Sequence, residues 1–73
     1  MNKVDLKTIL KEADVADELY NLSGEGRDDE RFFVVKNDMG WNVYFMERGI
    51  KTIDKSFNTE SDACQYIYEQ LIE

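Results

Sequence analysis

The sequence predicts an α+β domain: a small antiparallel meander of three to four strands with an N-terminal and a C-terminal helix packed on one face. Three observations lead there. Apolar residues recur at helical spacing near the start, two aromatic and β-branched runs flank a turn in the middle, and a capped amphipathic segment closes the chain. With 73 residues there is room for one domain, spanning 1–73, and no second core.

Leu6, Ile9, Leu10 and Ala13 follow the i, i+3, i+4, i+7 spacing of a helix with one apolar stripe, while Lys3, Lys7 and Lys11 fall on the polar side. A helix from about 4 to 13 is expected, with the stripe covering the core. Val15 to Asn21 reads as a turn and then a short strand, because Leu19-Tyr20-Asn21-Leu22 can begin extended structure. Ser23 to Glu30 contains two glycines and no apolar side chain, which is the composition of an exposed, mobile loop.

Arg31–Asn37 and Trp41–Arg48 are rich in β-branched and aromatic residues, and Asn37-Asp38-Met39-Gly40 supplies turn chemistry between them, so a β-hairpin is expected. In its second strand Trp41, Val43 and Phe45 alternate with Asn42, Tyr44 and Met46. The first set should face the helices and the second the outer side of the sheet. Gly49 marks the next turn, and Ile50 to Phe57 reads as a further antiparallel strand with Lys51, Ile53, Lys55 and Phe57 on one side. Parallel pairing is not expected, since no helix intervenes between strands. Thr59 supplies an N-cap hydroxyl and Asp62 an acid three residues later. A helix from 60 to 72 should follow, turning Ala63, Cys64, Ile67, Leu71 and Tyr68 inward.

Composition narrows the function classes. Histidine is absent, which removes the usual general base, the Ser-His and Cys-His nucleophile pairs and the commonest zinc ligand. Cys64 is the only cysteine, so an internal disulfide framework is excluded and an intracellular, cytoplasmic home is expected. On a helix beside Ala63 it reads as a small buried hydrophobe. The charged N-terminal stretch contains neither an apolar signal region nor a membrane span. Ser23-Gly24-Glu25-Gly26 lacks the lysine and helix start of a phosphate loop, and Asp28-Asp29-Glu30 lacks the alternating spacing of a calcium loop. No catalytic residue, cofactor or metal site is expected.

Net charge is −7, and residues 12–30 hold a local net of the same size, with eight acids against Arg27 alone. That disfavours a direct grip on nucleic acid or on an anionic membrane and favours a basic protein partner. The candidate contact surface combines Asp14, Asp17, Glu18, Glu25, Asp28, Asp29 and Glu30 with the aromatic and thioether groups of Tyr20, Tyr44 and Met46. Acids would steer a cationic partner, and a half-buried aromatic would supply the desolvated anchor.

Leu19-Tyr20-Asn21-Leu22, Trp41 to Gly49 and Phe57 to Cys64 together resemble the small acidic immunity proteins of bacterial polymorphic-toxin and contact-dependent inhibition systems. The resemblance implies a cytoplasmic, non-enzymatic inhibitor that binds and neutralises a cognate toxin domain, a basic nuclease being one such target. The other reading is a regulatory or structural module, such as a nucleic-acid mimic or a homodimer joined through sheet edges or through Tyr44 and Met46.

Overall fold

A computed structural model describes residues 1–22 and 30–72. The chain runs α1 (Lys3–Glu12), a 3₁₀ turn (Asp17–Leu19), β1 (Tyr20–Asn21), β2 (Arg31–Asn37), β3 (Gly40–Glu47), β4 (Ile50–Phe57) and α2 (Glu60–Leu71). The α+β class and the helix at each end are as the sequence predicts. The expected loop residues 23–29 lie outside the described residues.

Both helices begin with side-chain caps. Asn2 Oδ1 accepts the Asp5 amide at 2.8 Å while Asp5 Oδ2 accepts the Asn2 amide at 3.3 Å, a reciprocal pair that satisfies two donors the first turn would leave open. Thr59 Oγ1 accepts the Asp62 amide at 3.1 Å, as its spacing predicts. The two starts are tied together, since Glu60 Oε2 accepts the Lys3 amide at 2.9 Å. The helices therefore set out from the same end of the molecule.

The sheet has strand order β1-β2-β3-β4. β2, β3 and β4 form the expected antiparallel meander. β1 pairs parallel to β2, Tyr20 with Phe32 and Asn21 with Phe33, so the sheet is mixed where an all-antiparallel one was expected. The physical reason is length. A crossover helix is needed to return a full strand, but two residues extend only about 7 Å and nine intervening residues suffice to come back beside them.

Alternation along the strands sorts the side chains. Phe32, Val34, Trp41, Val43, Phe45, Ile53 and Phe57 belong to the helix-side core with Leu6, Leu10, Ala63, Cys64 and Ile67. Leu6, Leu10, Val43, Ala63, Cys64 and Ile67 are completely buried. The other face presents Arg31, Phe33 and Val35 from β2 and Asn42, Tyr44 and Met46 from β3, by register. Phe33 is nonetheless buried, its ring stacked on that of Tyr44 with centroids 4.9 Å apart and planes 8° from parallel.

Two turns show how local sequence sets register. Arg48 and Gly49 both take positive φ, 53° and 80°, which matches the right-handed twist of the β3–β4 ribbon. Asp38-Met39 joins β2 to β3, with Asn37 Oδ1 accepting the Met39 amide at 2.9 Å. Gly40 then takes φ 145°, and a Cβ there would lie 2.5 Å from the Phe57 carbonyl oxygen. Only glycine lets β3 approach β4 this closely.

β4 departs from strict alternation. A register shift opposite Phe45 and Met46 pairs Ile53 with Phe45 and Lys51 with Met46, leaving Thr52 as the extra residue. Lys51 accordingly sits on the outer face beside Tyr44, not on the side of Ile53, Lys55 and Phe57 where simple alternation put it.

Candidate protein-contact surface

The acidic segment begins where α1 ends. The Val15 amide donates to the Leu10 carbonyl at 3.0 Å and the Asp14 amide to the Lys11 carbonyl at 3.1 Å, the paired bonds of a Schellman helix end. That motif places Asp14 in the left-handed position, with φ 60°, where glycine is usual. A carboxylate there also meets the negative end of the helix dipole. Asp14 thus runs against two local preferences while its side chain stays in solvent.

Asp17 and Glu18 follow in the 3₁₀ turn, both exposed. Asp17 Oδ1 accepts the Tyr20 hydroxyl at 3.1 Å. Burial of the Tyr20 ring, that hydrogen bond and the Asp17 charge together raise the phenol above its ordinary pKa. Tyr20 is only 6% exposed and belongs to the core, so its ring is not the accessible anchor the sequence suggested. Pairing with Phe32 turns it to the helix side. The exposed apolar residue of this segment is its neighbour Leu19, at 42%, directly flanked by Glu18.

Glu30 is exposed, takes φ 57° and leads straight into Arg31, which pairs with Met46. It lies at the same end of the sheet as the 3₁₀ turn, which packs on β1 and β2. Glu25, Asp28 and Asp29 lie outside the described residues. The structure therefore brings Asp14, Asp17, Glu18, Leu19 and Glu30 to one end of the molecule.

Tyr44 and Met46 are half-buried on the outer sheet face, but their charged neighbours are mostly cationic. Lys51 Nζ stands 4.4 Å from the Tyr44 ring centroid, opposite the stacked Phe33, and Arg31 flanks Met46. Asp54 Oδ1 is engaged by the Asn42 amide at 2.8 Å, which also donates to the Lys55 carbonyl at 2.6 Å. The aromatic part of the predicted surface is thus a separate patch with its own charge.

Cys64 is completely buried, and burial, helped by the nearby Glu60 carboxylate, pushes its thiol up to about 11. That keeps it protonated and inert at neutral pH. Among the described residues no group of three His, Cys, Asp or Glu side chains is placed to hold a metal ion. No helix among them is long and apolar enough to cross a membrane.

A cavity of about 340 Å³ lies between α1 and the β1 edge, lined among the described residues by Lys3, Val4 and Lys7 on the helix, Tyr20, Asn21 and Leu22 at the strand, and Arg31 at the start of β2. The sequence alone does not show it, because β1 and Arg31 are remote from α1 in the chain until the sheet forms. In comparisons with protein-family models, curated proteins and solved structures, nothing matches this chain.

Proposed function

We propose that this domain is a non-enzymatic inhibitor that binds and neutralises a cationic protein partner in the cytoplasm, in the manner of an immunity protein against a basic toxin domain such as a nuclease. The observation that carries the reading is Leu19. It is an exposed leucine set among Asp14, Asp17 and Glu18, with Asp14 held in a backbone position better suited to glycine. Local rules broken without a stabilising return are expected where a residue serves a partner.

The physics of such a contact is a division of labour. Exposed carboxylates raise the encounter rate with a basic surface, and an apolar side chain excluded from water slows dissociation. Neither role needs a catalytic group.

The test is binding to the product of the adjacent upstream gene. Asp14→Lys with Glu18→Lys should weaken the complex by about tenfold or more, with most of the loss in association rate. Asp17 is left untouched because its carboxylate holds the Tyr20 hydroxyl. Full affinity in the doubly reversed variant would remove this surface from the reading.

A homodimer is the second reading, and one observation favours it: Val35, Tyr44 and Met46 are only partly covered on the face turned away from both helices. Sedimentation velocity of the wild-type chain and of Tyr44→Ala separates the two.

A further inference from the structure

β4 is an edge of the sheet, and its second half is regular. After the bulge at Thr52, the stretch from Ile53 to Phe57 pairs residue for residue with Phe45 back to Trp41. Among the described residues no strand lies on its free side, and Asp54, Lys55 and Ser56 are exposed. Alternate residues of such an edge turn both amide and carbonyl outward, a template for one more strand.

Side chains decide which strand can join. Lys55 pairs with the completely buried Val43, so it stands on the helix side of the sheet, between Ile53 and Phe57, which pack against the core. It is a charge set in the middle of an apolar row. A second copy of this chain joining antiparallel about a twofold axis must centre on one residue, which then faces itself. Centred on Lys55, Ile53 of each copy meets Phe57 of the other and the apolar row continues, but the two lysines stand opposite with Cβ atoms about 5 Å apart. Centring on Asp54 sets two carboxylates against each other in the same way. Centring on Ile53 draws the bulged Thr52 into the ladder, and centring beyond Lys55 leaves little of the strand to pair.

Like charges directly opposite destabilise a strand pair, and opposite charges stabilise it. We propose that Ile53–Phe57 accepts, as an added antiparallel strand, an extended segment of a partner protein in which an acid flanked at alternate positions by apolar residues lies opposite Lys55, and that Lys55 excludes a second copy of this chain. The backbone supplies the ladder and Lys55 the choice of partner. The proposal stands apart from the Asp14–Glu18 surface, which belongs to the end of α1 and the 3₁₀ turn.

Lys55→Glu turns the chain's own edge into the probe, because it presents a carboxylate between Phe57 and Ile53. In amide ¹H–¹⁵N spectra, labelled wild type titrated with unlabelled Lys55→Glu should give saturable shifts centred on Ile53–Phe57, and the reversed labelling should give the same pattern. Wild type with itself, and the variant with itself, should associate at least about fivefold more weakly, and raised salt should narrow the gap. Lys55→Val, with the charge removed and the apolar row unbroken, should associate with itself at the same amides; this second variant tests the edge even where Lys55→Glu does not fold. Equal affinity in mixed and unmixed pairs would overturn the proposal. So would shifts confined to Val35, Tyr44 and Met46, the mark of a dimer through the outer face, or no association at about 1 mM in either the mixture or Lys55→Val.

Discussion

Gly40 and Phe57 approach so closely that a methyl group on the glycine would sit 2.5 Å from the phenylalanine carbonyl oxygen. The contact fixes where β3 starts against the end of β4, and hence where Trp41 stands under the start of α2.

Gly40→Ala should therefore cost about 1–3 kcal/mol, combining a disfavoured φ of 145° with a backbone clash. Gly49→Ala is the contrast, since its φ is 80° but nothing lies within 4 Å of the added carbon. It should lose no more than about 1–2 kcal/mol. Urea unfolding of the two variants checks the order.

Asp14→Gly should stabilise the fold by about 0.5–1 kcal/mol, because the left-handed helix end and the dipole both favour the change. If Asp14 serves a partner, the same variant should bind that partner less well. A variant that is both more stable and equally active would reassign Asp14 to an ordinary turn.

Phe33, Tyr44 and Lys51 form one tier on the outer face, ring on ring on one side and cation over ring on the other. A double-mutant cycle of Phe33→Leu and Tyr44→Leu should give a coupling of about 0.5–1.5 kcal/mol. Lys51→Gln should lose about 0.5–1 kcal/mol in wild type and much less in the Tyr44→Leu background.

Stability should fall in alkali. The Cys64 thiol is pushed up to about 11 in the fold, whereas in the unfolded chain it titrates near its ordinary value of 9.0. Between those values the unfolded state has released the proton and the folded state still binds it, so rising pH favours unfolding until about 11. The raised Tyr20 phenol acts in the same direction at higher pH. Cys64→Ala should flatten the decline between about 9 and 11, as read from unfolding midpoints across pH. In the native state the Cys64 thiol should also resist labelling by a soluble disulfide reagent at neutral pH.

Much of the architecture was legible because it rests on strong local signals. The Leu6, Leu10 stripe, the Trp41, Val43, Phe45 alternation and the Thr59 cap each state their own geometry. What stayed hidden depends on contacts between remote residues. A two-residue strand has no periodicity, so neither its parallel pairing nor the burial of Tyr20 could be read. The bulge at Thr52 moved Lys51 across the sheet without any glycine to announce it. The acids were visible as a charge run, but the separation of Asp14, Asp17 and Glu18 from Tyr44 and Met46 follows from the sheet alone.

Inhibition of a cationic partner through the Asp14–Glu18 surface is tested most directly by calorimetric titration of this domain with the adjacent gene's product over a salt series, for wild type and for Asp14→Lys/Glu18→Lys. Binding should be tight and weaken as salt rises, with a shallower salt dependence in the variant. Absence of binding at low salt, or a salt dependence identical in the two proteins, would contradict it.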